Sequence, residues 1–175
     1  TLSNLNAGNL KALTEHCIKH DVTRIAFGRL VPEGHGEQLR DDFFTKKELK
    51  RVYKTIRKLW RKYSKAIEVA FHDPIWMRFM KVKDTFGCSA GIGGICIVEN
   101  GDIMPCRRLN IVIGNIRDMN LEQAWQSKAM RQFRRRESLR GKCGSCKHVN
   151  QCGGCRAIAK AVNGTLFSED PQCFL

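Results

Sequence analysis

Apolar positions along the first half of the chain switch between two periods. Leu10, Leu13, Cys17 and Ile18 recur at helical spacing and predict a helix over 7–20. Cys17 falls on that stripe and reads as a small buried hydrophobe. Residues 23–27, TRIAF, are β-prone, and the Gly- and Pro-rich loop GRLVPEGHG follows at 28–36. Thr45 with Glu48 three residues on is a capping box. The helix it opens carries the stripe Leu49, Val52, Tyr53, Ile56, Leu59, Trp60 and Tyr63, with basic residues on its other face. Residues 66–71, AIEVAF, form a second strand stopped by His72, Asp73 and Pro74. Helix–strand–helix–strand with short connections is the rhythm of a parallel α/β unit. Two strands are too few for a sheet with helices on its faces, so further strands are expected upstream. His72 and Asp73 sit just past a strand end, where α/β active sites gather. Asp-Pro is first of all a turn signal, and that reading is preferred.

The second half changes character. β-prone runs at 94–98 and 102–105 flank Asn100-Gly101, a strong hairpin signal. Asn120 with Gln123 caps a predicted helix reaching about Arg136, with Leu121, Trp125, Met130 (or Ala129) and Phe133 as its stripe. A last short helix, 156–162, is ended by Asn163-Gly164.

Composition narrows the class. At 175 residues and 42% hydrophobic content the chain can build one fair-sized core, or one domain and part of another. No apolar run approaches the ~18 residues of a membrane span. The N-terminus lacks a signal-peptide profile and an initiating Met, so a trimmed or partial cytoplasmic chain is expected, with no membrane partner. The net charge of +14 is concentrated in 46–65 and 128–142. It reads as a solvated face and counter-charge rather than a nucleic-acid surface, because aromatic RNP and zinc-finger signatures are missing.

Nine cysteines are too many for structural accident, and an odd count without a secretory signal argues against a disulfide framework. Eight lie between Cys88 and Cys173. Four of them fall in one stretch, CGSCKHVNQCGGC, as Cys143, Cys146, Cys152 and Cys155. Zinc ribbons separate their two knuckles by ~15–20 residues, whereas five residues part Cys146 from Cys152. A zinc tetrahedron is compatible with many loops, so zinc stays open. Tight runs are also how iron–sulfur proteins ligate, three cysteines on one cube and the next on another.

The full pattern is more specific. Cys88, Gly101 and Cys106, then Cys143-x2-Cys146-x5-Cys152-x2-Cys155, then Cys173, resembles the SPASM domain of radical S-adenosylmethionine (SAM) enzymes. Gly87-Cys-Ser-Ala-Gly91, Asn100-Gly-Asp-Ile-Met-Pro-Cys106, Gly114-Asn-Ile-Arg117, Leu121-Glu-Gln-Ala-Trp125 and Cys152-Gly-Gly-Cys-Arg156 fit the same resemblance. It implies that residues 1–80 are the C-terminal portion of a partial parallel (β/α)6 barrel, with GRLVPEGHG after its sixth strand. Residues 81–175 would then be a small α+β SPASM domain, a β-hairpin plus helices around two [4Fe–4S] clusters. By position, Cys88, Cys106 and Cys155 would ligate the first cluster, and Cys143, Cys146, Cys152 and Cys173 the second. The x2 spacing of Cys152 and Cys155 departs from the family's usual x3. Cys96, in a hairpin strand, is an eighth ligand or a buried thiol; in the second case the first cluster has an open site.

The resemblance further implies a parent enzyme with a third cluster that cleaves SAM, fed by an electron donor such as flavodoxin or ferredoxin. Its substrate would be a peptide, a protein or a tetrapyrrole-type small molecule. The C-x3-C-x2-C motif of the SAM-cleaving cluster does not occur in these 175 residues, so the chain alone is expected to be inactive without an upstream barrel segment. The rival is a non-enzymatic zinc module that binds nucleic acid or protein.

Overall fold

The computed structural model describes residues 1–71, 73–83, 85 and 87–175; His72 lies outside the described residues. Its first half is a βαβ unit. Helix α1 (Leu10–Lys19) leads into strand β1 (Arg24–Phe27), helix α2 (Lys46–Tyr63) crosses over, and strand β2 (Glu68–Phe71) returns parallel to β1. The register pairs Ile25 with Val69 and Ala26 with Ala70. Helix α3 (Pro74–Phe79) follows at once.

The α2 capping box forms as predicted: Glu48 N donates to Thr45 Oγ1 at 3.3 Å, and Thr45 N donates back to Glu48 Oε2 at 2.8 Å. Leu49, Val52, Tyr53, Ile56 and Leu59 are buried along its inner face, while Trp60 and Tyr63 pack at the edge of the same core. On α1 the stripe is corrected. Leu13 is 45% exposed, and Thr14 takes the buried place beside Leu10, its hydroxyl donating to the Leu10 carbonyl at 2.7 Å. Satisfying the hydroxyl on the preceding turn lets a polar side chain occupy a core position.

The second half holds a three-stranded antiparallel sheet rather than a bare hairpin: β3 (Cys96–Ile97), β4 (Asp102–Met104) and β5 (Gly114–Asn115). The Asn120–Gln123 capping box forms, but the predicted long helix breaks after one and a half turns into α4 (Leu121–Gln126) and α5 (Lys128–Arg131). Ser127, extended at φ −61° and ψ 152°, caps α5 by accepting from Met130 N at 3.1 Å. The break also re-aims the stripe: Leu121 is exposed, Trp125 is half-buried under the Arg134 guanidinium, and Ala124, Met130 and Phe133 face the core. Two short helices complete the chain, α6 (Gly141–Gly144) and α7 (Arg156–Asn163), the latter ended by Gly164 at φ 75°.

The two halves are interleaved. Phe174 stacks edge-on against Tyr53 and Phe79 of the first core. Val31 and Phe43 pack into the second core, which contains Leu109, Phe133 and Ile158.

Candidate metal centre

All nine cysteines are free thiols, and the structure sorts seven of them into two cavities. Cys143, Cys146, Cys152 and Cys173 line one, with Ile75, Arg78 and Val149. Cys88, Cys106 and Cys155 line the other, with Pro74, Ala90 and Arg108. Cys96 lines neither; it shares a third cavity with Cys106, Arg107 and Arg108, open at the ends of β1 and β2.

The partition arises within four residues. Cys143 lies on α6, and a 3-10 turn (Val149–Gln151) carries the chain round to Cys152. Gly153 and Gly154 then adopt φ +64° and +62°, a left-handed path natural to glycine. A side chain at Gly153 would collide with the Arg136 guanidinium, and one at Gly154 would sit 2.7 Å from Arg156 Nη2. The turn ends at Cys155, which precedes α7 and faces away from Cys152. A backbone bond from Cys88 N to Cys152 O, 3.0 Å, joins the two sets.

Backbone N–H groups surround the first set. Gly154 N donates to Cys152 Sγ, His148 N to Cys146 Sγ and Asp170 N to Cys143 Sγ, each at 3.4 Å. Burial pushes the Cys152 thiol up to about 12 and the Cys155 thiol to about 11, and raises Cys173 as well. Buried Arg136 and Arg156 stand beside these sulfurs, with Arg156 Nη2 3.7 Å from Cys143 Sγ. Arg156 forms no ion pair with a carboxylate among the described residues. Donors aimed at sulfur, and the Arg156 cation with no carboxylate partner among the described residues, fit a buried anionic thiolate centre better than neutral thiols. Among the described residues no three His, Cys, Asp or Glu side chains converge as ligands of a single ion.

A buried polar node ties this region to the first half, and nothing in the sequence pattern had marked it. Arg29 Nε donates to Asp73 Oδ2 at 2.6 Å, Nη1 and Nη2 donate to the Asp170 carboxylate at 2.9 and 2.8 Å, and Nη1 also reaches Gln172 Oε1. Asp73 is thus more than a turn residue: it caps α3 by accepting from Ile75 N and Trp76 N, and it is buried against Arg29. Asp170 does two further jobs. Its Oδ2 accepts from Cys155 N at 2.8 Å, while its own N–H points at Cys143 Sγ. Burial works against the charge on Asp170, but Arg29 outweighs it and holds the carboxyl below its usual range. Desolvation likewise opposes the Arg29 charge, and Asp170 and Asp73 more than offset it.

The stretch 88–155, which contains six of the seven paired-off cysteines, matches the family model of the SPASM domain, an iron–sulfur cluster-binding domain. An AdoMet-dependent heme synthase from Oleidesulfovibrio alaskensis is 42% identical over 90 residues, 51% of this chain and 23% of that protein. Fe-coproporphyrin III synthase of Methanosarcina barkeri aligns with the whole chain at 23% identity and is 51% covered. The chain therefore spans about half, or less, of the curated relatives it matches. The SuiB structure from Streptococcus suis, bound to S-adenosylmethionine, superposes with a TM-score of 0.67 at 18% identity, over 97% of this chain and 42% of SuiB. At that identity the likeness concerns the fold.

Cys173 and the Asp170 node lie beyond the matched SPASM stretch, yet they face its cysteines. No helix is long and apolar enough to cross a membrane among the described residues.

Proposed function

We propose that this chain is the cluster-bearing C-terminal part of a radical SAM enzyme and holds two [4Fe–4S] clusters. Cys143, Cys146, Cys152 and Cys173 hold one; Cys88, Cys106 and Cys155 hold the other, with its remaining position open or taken by Cys96. The observation that carries this reading is the partition of the seven cysteines into two cavities. When bound, the clusters supply one-electron redox equivalents.

The remaining roles fall to the chain itself. The cavity at the ends of β1 and β2 is lined by Phe27, Ser89, Cys96, Cys106, Arg107 and Arg108, and by Arg29 with its partner Asp73. Arg107 is exposed, Arg108 is half-buried, and neither is in an ion pair among the described residues. Two unpaired guanidiniums beside the Cys106 cluster suit a substrate that carries carboxylates. Together with the names of the two relatives above, this favours a tetrapyrrole over a peptide or protein substrate. The upstream barrel segment, with its own three-cysteine cluster and SAM, and an electron donor complete the enzyme.

The test is anaerobic loading of the chain with iron and sulfide. About eight of each should bind, as expected for two four-iron clusters. In paramagnetic resonance, Cys155→Ala should share its signature with Cys106→Ala, and Cys173→Ala with Cys143→Ala. Stoichiometric zinc without sulfide in protein purified free of oxygen would overturn the cluster reading. A Cys155→Ala spectrum matching Cys143→Ala would overturn the ligand assignment.

A further inference from the structure

Arg156 opens α7 and is 2% exposed. Its Nη1 donates to the Leu166 and Ser168 carbonyls, both at 2.6 Å, which fixes the plane of the guanidinium. Nη2 is left 3.7 Å from Cys143 Sγ, and Nε has no hydrogen-bond partner. Two penalties act on this charge. A buried cation without an anion costs several kcal/mol, and a cation in the first turn of a helix opposes the macrodipole. Nearby Asp170 does not pair with Arg156: both oxygens are committed to Arg29, Cys155 N and Gln172 N. The atom Arg156 meets at its free end is a sulfur of the four-cysteine set.

We infer that Arg156 is the fixed counter-cation of the centre held by Cys143, Cys146, Cys152 and Cys173, and that it raises the reduction potential of that centre selectively. The inference rests on the two-cluster reading above. A [4Fe–4S]2+ core with four thiolates carries a formal charge of about −2, and one electron takes it to about −3. A cation at hydrogen-bond range stabilises the more negative state more, so it favours reduction. The three N–H···S bonds to Cys143, Cys146 and Cys152 act in the same direction. None is made to Cys88, Cys106 or Cys155 sulfur among the described residues, and the cysteine sulfur that Arg156 reaches there is that of Cys143. Arg156 is a positioning residue: it acts on the reaction only through the centre it faces.

The experiment is a dye-mediated redox titration of the full, anaerobically loaded chain, followed by paramagnetic resonance, for wild type, Arg156→Gln and Arg156→Lys. At the solution potential where the Cys143-set cluster of wild type is half reduced, its reduced fraction in Arg156→Gln should fall to about a tenth or less. The cluster affected should be the one lost in Cys173→Ala. Arg156→Lys, which keeps the charge, should recover most of the reduced fraction. An unchanged midpoint in a fully loaded Arg156→Gln, or an equal shift of both clusters, would overturn the inference. If Arg156→Gln fails to load, Arg156→Lys decides: loading with a near-wild-type midpoint supports the role of charge, and loading with a midpoint lowered by as much as predicted for Gln overturns it. Wild-type protein that binds no pair of clusters would instead overturn the reading underneath.

Discussion

Asp170 shows how much one residue carries in this molecule. Its carboxylate closes on a buried arginine, orients the backbone of Cys155 and, through its own N–H, faces Cys143. Removing the arginine leaves two carboxylates buried without their partner. Arg29→Met should therefore cost about 3–5 kcal/mol in urea unfolding, the usual result of breaking one side of a buried pair. The sign of the pH dependence follows from the depressed Asp170 carboxyl. A folded-state value below the unfolded one contributes stability that is full above the unfolded value of ~3.9 and is lost as pH falls through the folded value. Unfolding midpoints measured from pH 6 to pH 2 should show wild type losing stability below about pH 4, with a shallower acid slope in Arg29→Met.

Among the elements, α2 is ordered by its apolar face and its cap, and its charge is peripheral. Lys50, Lys54 and Lys58 are all exposed. Changing the three to Gln should leave stability within about 1 kcal/mol by chemical denaturation. Thr45→Ala, by contrast, removes the cap acceptor for Glu48 N and should cost about 1 kcal/mol on its own. The α4–α5 break is the opposite case. Helical periodicity from 120 to 136 could be read as one continuous stripe, but the Ser127 hydroxyl competes for Met130 N and restarts the helix on a new axis. Ala124, which the stripe passed over, then becomes the buried residue and Leu121 does not.

For the whole molecule, the proposed radical chemistry needs a SAM-cleaving site besides the two cavities. Since no C-x3-C-x2-C triplet occurs in the 175 residues, the purified chain with strong reductant and SAM should form no 5′-deoxyadenosine. Chromatographic detection of that product above a no-protein control would show an unrecognised SAM-cleaving site. Protein prepared in air can carry zinc on freed thiolates, so metal content is informative only from oxygen-free preparations.

What the sequence determined by itself is local or carried by spacing: the two capping boxes, the glycine that ends α7, the βαβ order, and the cysteine intervals that point to a SPASM domain. Each depends on residues a few positions apart, or on a spacing pattern specific enough to name a family. Tertiary structure decided the rest. Arg29 finds Asp170 across 141 positions, and no periodicity or turn signal encodes such a pairing. Thr14 replaces Leu13 in the core because its hydroxyl is satisfied on its own helix. Spacing also left open how closely Cys152 and Cys155 cooperate, since two intervening residues are compatible with one shared site. Two left-handed glycines and the start of α7 send those side chains into different cavities. That Arg156 is buried with no carboxylate partner among the described residues is likewise visible only once the chain has folded around it.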